Sequence, residues 1–350
     1  MIKILVINTE QSGVDMYRLT PHKYLNSSEF EVHFTPVLDN PPADLHKQLS
    51  EYDIVVFSRM LSKDSQKDWT KDLIKHLEKA DVKVVLDYDD NWQLPKYHSL
   101  YKDYEKKGYR LRQVNAAKFA DALTVSTPYL ADKLKSYNKD ITVIKNCVDY
   151  HEVQWMKYKT PSNKLRVAFI GAKDHVKDMQ MIADELCKIG QLEDVELYYG
   201  GWAPGKENNE IASIMSCANA SNLFDVIPAL TVNCYGQMYN HVDVCIAPLY
   251  KDEFTQCKSE LKALEAGFMR CALIASNQVP FTYVCHEGNS TICDGANGWY
   301  EAVKKYRDNR DLVVTHAQKL NKDVLEKYDI LNEAKKREKL YKRLCGKQEQ

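Results

Sequence analysis

The feature that most limits what this chain can fold into is a repeated alternation of short apolar runs with helical stretches. Residues 2–8, 31–36, 53–59, 82–87, 122–126 and 141–145 read as strands. Between them, residues 16–25, 45–50, 67–80 and 109–120 have helical spacing, with Trp69, Leu73, Ile74 and Leu77 on one side of the third. Residues 151–164 carry no strong period and include Thr160-Pro161-Ser162-Asn163, which reads as a linker. The alternation then restarts, with strands at 165–171, 195–200, 224–227, 242–249 and 271–276 and a helix near 179–188. Strands separated by helices in this way predict parallel, doubly wound sheets. The expected division is residues 1–160, residues 161–320 and a charged helical tail, 321–350, with Val324, Leu325, Ile330, Leu331, Leu340 and Leu344 to bury. Two joined α/β units make a cleft, where ligands usually sit.

Length and composition narrow the function classes. A chain of 350 residues suffices for two full cores. A formal net charge of −1 gives no global case for nucleic acid. No apolar run approaches a membrane span, which leaves only a peripheral membrane contact open. The opening strand is too short for a signal-peptide core. All ten cysteines fall from Cys147 onward without a Cys-x-x-Cys, so reduced, mostly buried thiols in a cytoplasmic protein are expected.

Chemistry concentrates where the strand at 242–249 runs through a polar loop into a helix expected to open at Lys258-Ser259. Outside the carboxyl ends of parallel strands, helix N-termini favour phosphate. Lys258 adds a charge there and Ser259 a hydroxyl, while Glu265, two turns on, offers acceptors for a sugar diol. Phosphate at one end and a diol at the other suit a nucleotide. Lys258-Ser259-x-x-Lys262-x-x-Glu265-Ala266 resembles the donor-site helix of GT-B glycosyltransferases, specifically glycosyltransferase family 4 and its bacterial and phage relatives. The resemblance implies that Lys258 and Ser259 meet the donor diphosphate and that Glu265 holds the ribose. The family often has a second Glu eight residues earlier, where this chain has Cys257.

Four other stretches bear on function. Ser12-Gly13-Val14-Asp15-Met16-Tyr17-Arg18 joins the first strand to its helix without a full Gly-x-Gly-x-x-Gly, which disfavours a dinucleotide oxidoreductase. It resembles the Gly-Val-x-x-Tyr-Arg opening of the same relatives, which implies a donor contact at Gly13 and an acceptor contact at Arg18. A plain tight turn is the competing reading. Asp87-Tyr88-Asp89-Asp90 puts three carboxylates at the end of a buried strand, costly unless they bind something or reach solvent. Either they form a metal-diphosphate Asp-x-Asp motif of GT-A type, or Asp89 and Asp90 act on the acceptor side of a metal-independent cleft; a structural capping role remains a third reading. Residues 96–112 interleave Tyr97, Tyr101 and Tyr104 with Lys102, Lys106, Lys107, Arg110 and Arg112. That is either an amphipathic helix with a buried aromatic stripe and a solvated basic face or an acceptor platform using Tyr97, Tyr101 and Lys102. After Gly171, Lys173 and Lys177 stand where the family resemblance implies cations for the donor phosphates, and His175 reads equally as a helix cap.

The expected architecture is GT-B: two Rossmann-like, doubly wound parallel-sheet domains facing a cleft. The expected activity is transfer of a hexosyl or pentosyl group from a nucleotide-sugar donor to a hydroxyl acceptor, with no cofactor and no obligatory metal. The acceptor (glycan, lipid-linked sugar or nucleic acid) stays undecided. The rival readings are a nucleotide- or sugar-binding module without turnover and a metal-dependent Asp-x-Asp transferase.

Overall fold

The computed structural model describes residues 1–8, 13–36, 44–59, 70–158, 161–202, 209–216 and 224–347. Ser12, Trp69 and Thr160 of the sequence reading lie outside the described residues.

The chain forms two compact units. One comprises Met1–Asp149, Cys257–Ser259 and Tyr328–Gln350; the other comprises Tyr150–Gln256 and Glu260–Lys327. The first carries β1 (Ile2–Asn8), β2 (Phe30–Pro36), β3 (Ile54–Ser58), β4 (Lys83–Tyr88), β5 (Ala122–Val125) and β6 (Ile141–Val143). They form one parallel sheet in the order β2-β1-β3-β4-β5-β6. Every residue of β3 and β5 is buried, as expected when both faces of a parallel sheet are covered. Leu5, Ile7, Val55, Phe57, Val84 and Leu86 enter the core on one face. Ile4, Val6, Ile54, Val56 and Val85 enter the other, together with Ala334, Leu340 and Tyr341. Those last three belong to the helix Ile330–Leu344, whose start is capped by Asp329 accepting from the Asn332 N–H at 2.8 Å.

The second unit carries β7 (Leu165–Ile170), β8 (Val195–Trp202), β9 (Phe224–Pro228), β10 (Val244–Ala247), β11 (Ala272–Ser276) and β12 (Thr291–Cys293). The order is β12-β11-β10-β7-β8-β9, again all parallel. The helix Leu261–Phe268 lies against the helix Arg310–Lys327 through Gly267. A Cβ there would stand 2.6 Å from a methyl of Val324, so only glycine permits this approach. Among the described residues no helix is long and apolar enough to cross a membrane.

The elements depart from expectation in several places. Instead of one helix over 16–25 there is a π-helical turn, Asp15–Leu19, then a 3₁₀ turn, Thr20–Tyr24, at whose start Pro21 has no N–H to donate. The basic aromatic stretch is two helices, Tyr101–Lys106 and Tyr109–Phe119, broken at Gly108 with φ +64°. The C-terminal run is also two helices, and β12 and the helix Trp299–Asp308 lie in a stretch for which no element was expected. Among the described residues eight cysteines are free thiols, whereas Cys187 is disulfide-bonded, contrary to the expectation.

Candidate functional site

In the second unit the strand order reverses between β7 and β10, and ligands of such sheets bind outside the carboxyl ends at that reversal. Two backbone donors fix the chain leaving β10. The Leu249 N–H donates to Ser276 Oγ at 2.8 Å and the Tyr250 N–H to Asp178 Oδ1 at 2.7 Å. A short helix, Glu253–Gln256, follows in the expected polar loop, and the next helix opens at Leu261, not at Lys258-Ser259 as expected. The three residues before Glu260 are instead tied into the first unit. Cys257 is fully buried within its core, and Ser259 Oγ accepts from Asn146 Nδ2 at 2.7 Å. Those contacts hold the segment out of a helical path.

Glu265 lies on the second turn of that helix and is almost fully buried. Its Oε2 accepts from Tyr239 Oη at 2.5 Å, Lys262 Nζ at 3.0 Å and Tyr235 Oη at 3.3 Å, and Lys262 also donates to Tyr235 Oη at 2.9 Å. Burial, then the charge of Glu265, pushes the Tyr235 hydroxyl up to about 12 and also raises that of Tyr239 well above its ordinary value. Burial acts to lower the Lys262 pKa, but the adjacent carboxylate outweighs it and the pKa is raised. The site therefore holds a carboxyl group in a fixed orientation, with an ammonium at its side.

Arg18, expected at the acceptor, is instead fully buried. Its Nε and Nη2 donate to the two oxygens of Asp87 at 2.9 and 2.8 Å, and its Nη1 donates to Ile144 O and, at 3.1 Å, to Asn146 Oδ1. Thr124 Oγ1 adds a donor to Asp87 at 2.6 Å. Asn146 thus links the buried Arg18–Asp87 pair to Ser259. A side chain committed in this way cannot also meet an acceptor.

Asp89 and Asp90 follow β4, and Arg59, beyond the end of β3, reaches both. Its Nε donates to Asp89 Oδ1 at 2.9 Å and its Nη2 to the same oxygen, whereas Asp90 Oδ2 is 3.7 Å from Nη2. Asp89 is therefore engaged, while Asp90 is more loosely held and more exposed. Asp87 faces Arg18 and Asp89 faces Arg59, so the two Asp-x-Asp carboxylates have separate cationic partners. Among the described residues no group of three or more His, Cys, Asp or Glu is placed to hold one.

The other expected site residues are scattered. Gly13 is exposed, and a Cβ at this position would meet no atom of the described residues within 4 Å. Tyr97 and Lys102 are exposed and Tyr101 half-buried; the helix Tyr101–Lys106 buries none of its residues, so its basic face is solvated but the buried aromatic stripe of the amphipathic reading is not formed there. Lys177 Nζ sits 4.9 Å from the Tyr250 ring centroid. Lys173 begins the 3₁₀ turn Lys173–His175 that follows β7. Arg59, Asn146, Tyr235 and Tyr239 were not singled out from sequence. The two tyrosines had a legible signal, an i, i+4 pair immediately before β10.

No family model matches the sequence, and no curated protein matches it. Solved structures do. Sucrose-phosphate synthase from Thermosynechococcus elongatus superposes with a TM-score of 0.72 at 14% identity, covering 99% of this chain and 100% of that one. Anabaena HepE in complex with UDP-glucose gives 0.70 at 13% identity, over 97% and 99% of the two chains. A glycosyltransferase from Rickettsia africae gives 0.66 at 13% identity, over 98% of each. The fold is the one these structures share. It is a two-domain, Rossmann-like α/β fold, as expected, built here on two six-stranded parallel sheets.

Proposed function

We propose that this chain is a glycosyltransferase that moves a sugar from a nucleotide-sugar donor to a hydroxyl acceptor. The observation that carries the reading is Glu265, a buried carboxylate oriented by Tyr235, Tyr239 and Lys262 on the helix after β10. A carboxylate fixed in that way is pre-organised to accept from a ribose diol. A UDP-glucose complex is known for one protein of the same fold. Lys258 and Ser259 precede the helix, and Lys173 and Lys177 follow β7. These residues would stabilise the negative charge that builds on the departing diphosphate, with no obligatory metal. On the acceptor side Asp90 acts without Asp89, because Asp89 is held by Arg59. Transfer is expected to survive EDTA; activity lost with EDTA and restored by manganese would overturn the metal-independent scheme.

The deciding experiment is nucleotide binding by single variants. Lys258→Ala should weaken nucleoside-diphosphate binding by about 1.5–3 kcal/mol, the range for a hydrogen bond to a charged group, and spare nucleosides. Glu265→Ala should weaken both. Unchanged diphosphate affinity in a folded Lys258→Ala variant rejects the site. A binding module without turnover is the second reading, favoured by Cys257, which is a core residue where the resemblance places a second Glu. Nucleotide-sugar binding without hydrolysis or transfer across an acceptor panel would select it.

A further inference from the structure

The scheme above leaves residues 96–119 of the first unit without a role. They contain seven Lys or Arg and only two acidic residues, in a chain whose formal net charge is −1. They also hold four large apolar or aromatic side chains that face water. Leu111 is 64% exposed, Leu100 50%, and Tyr97 and Phe119 40% each. A single exposed leucine needs no explanation, but four such side chains within one basic stretch do.

The helix Tyr109–Phe119 sets the arrangement. Its Gln113, Val114, Ala116 and Ala117 are buried, and at 3.6 residues per turn that leaves Leu111, Lys118 and Phe119 on the opposite side. The helix Thr70–Lys79 packs beside it, and its Leu73, Ile74 and Leu77 enter the same core as Val114, Ala116 and Ala117. The exposed Lys71 and Lys75 of that helix reach the Phe119 ring, with Nζ 5.0 and 5.9 Å from the centroid. Leu111 and Phe119 are therefore flanked by Lys71, Lys75 and Lys118. Among the described residues none of these three lysines pairs with a carboxylate.

We infer that this face of the first unit docks on an anionic lipid bilayer. The inference stands apart from the transferase reading and does not rest on it. Lysines beside lipid headgroups gain from the negative surface potential. Leucine and phenylalanine enter the boundary of the acyl chains, and tyrosine sits at the level of the headgroups. A nucleic acid would meet the cations and stack on the rings, but it offers nothing to an exposed Leu100 or Leu111. A second copy of the chain is disfavoured too, because a two-fold interface sets a patch against itself and would bring unneutralised lysines together.

Cosedimentation of the full chain with vesicles tests the assignment. The chain should bind vesicles of phosphatidylcholine mixed with phosphatidylglycerol but not phosphatidylcholine alone, and more weakly as salt is raised. Lys71→Gln, Lys75→Gln and Lys118→Gln together should weaken binding about a hundredfold, at about fivefold for each charge near the surface. Leu111→Ser with Phe119→Ser should weaken it at least about tenfold and leave the salt dependence in place, which separates insertion from charge. All five side chains are exposed, so both variants should keep the wild-type urea midpoint; Leu111→Ser alone provides the comparison if the double variant does not fold. No binding to the anionic vesicles, equal binding to both kinds, or wild-type binding by either variant would overturn the assignment. Without vesicle binding, single-stranded RNA held by the wild type and released in the lysine variant would give the face to nucleic acid. A dimer dissolved by Leu111→Ser with Phe119→Ser, again without vesicle binding, would give it to a second copy.

Discussion

Two buried carboxylates, one in each unit, are neutralised by different means. Asp87 faces Arg18 through two parallel hydrogen bonds, and side-chain accessibility is 2% and 0%. Glu265 faces Lys262 and two tyrosines, and 23% of the lysine side chain reaches solvent. A guanidinium fork fixes both partners in one plane, whereas an ammonium is a point charge on a flexible stem that tolerates exchange of its partner. The first arrangement suits a structural joint, the second a site where a ligand hydroxyl competes for the same oxygen. Nearly identical charge pairs thus differ in rigidity and access to solvent because of what surrounds them.

The largest effect should come from breaking the structural pair. Arg18→Met leaves Asp87 buried without its cation and should destabilise the first unit by about 3–5 kcal/mol. Burial works to lower the Arg18 pKa, yet Asp87 overrides it and the pKa is raised, which is the coupling this variant removes. Urea unfolding followed separately in each unit reads the loss. Wild-type stability in the variant would erase the distinction drawn above.

Lys262→Met should act in the opposite proportion. It should cost less stability, about 1.5–3 kcal/mol for the lost charged hydrogen bond to Glu265, because Tyr235 and Tyr239 still donate to that carboxylate and the part-exposed lysine is replaced at the edge of solvent. Nucleoside binding should fall with it, since Glu265 loses its orientation. Unaltered nucleoside affinity beside a clear stability loss would make Glu265 a structural carboxylate like Asp87.

What the sequence made legible follows from which forces are local. Strand positions came from apolar runs that need burial on both faces, so β1, β3, β7 and β11 were readable to within a residue or so. β12 has three residues, two of them only partly buried, and leaves almost no such trace. Lys258, Ser259 and Glu265 were visible by spacing and by resemblance. The start of their helix was not, because Asn146, 113 residues away, holds Ser259. Arg18 was misread for the same reason. A turn arginine looks exposed until Asp87, Ile144 and Asn146, from distant parts of the chain, close around it.

A smaller effect separates the neighbours Asp89 and Asp90. Asp90→Asn should slow transfer at least about tenfold, at or below the low end for a positioned acid or base, with donor affinity and stability nearly unchanged. Asp89→Asn should instead lower stability, since it weakens the contact with Arg59. If both variants transfer at the wild-type rate, the acceptor lies elsewhere and the pair is simply the counter-charge of Arg59.

The smallest expected effect is a pH dependence that also distinguishes the units. His22 is buried beside the Arg18 network, with Nδ1 donating to Leu19 O at 2.7 Å and Nε2 accepting from Tyr341 Oη at 2.6 Å. Burial, then the charge of Arg337 and more weakly of Arg18, holds its pKa well below 6.5. The native state therefore keeps His22 neutral where the unfolded chain takes up a proton. Above the unfolded pKa of about 6.5 this costs nothing; as pH falls below it, stability is lost at up to ~1.4 kcal/mol per pH unit. His316 in the second unit is also lowered, first by burial, but it is less deeply enclosed and faces Lys305 and His286 instead of a pair of buried arginines. Unfolding midpoints at pH 7.5, 6.5 and 5.5 should show the acid limb flattened in His22→Gln, where a glutamine can still meet both Leu19 O and Tyr341 Oη. His316→Gln should flatten it less. Equal flattening by the two variants would mean that acid acts on both units alike, and that the buried arginines of the first contribute nothing particular to its sensitivity.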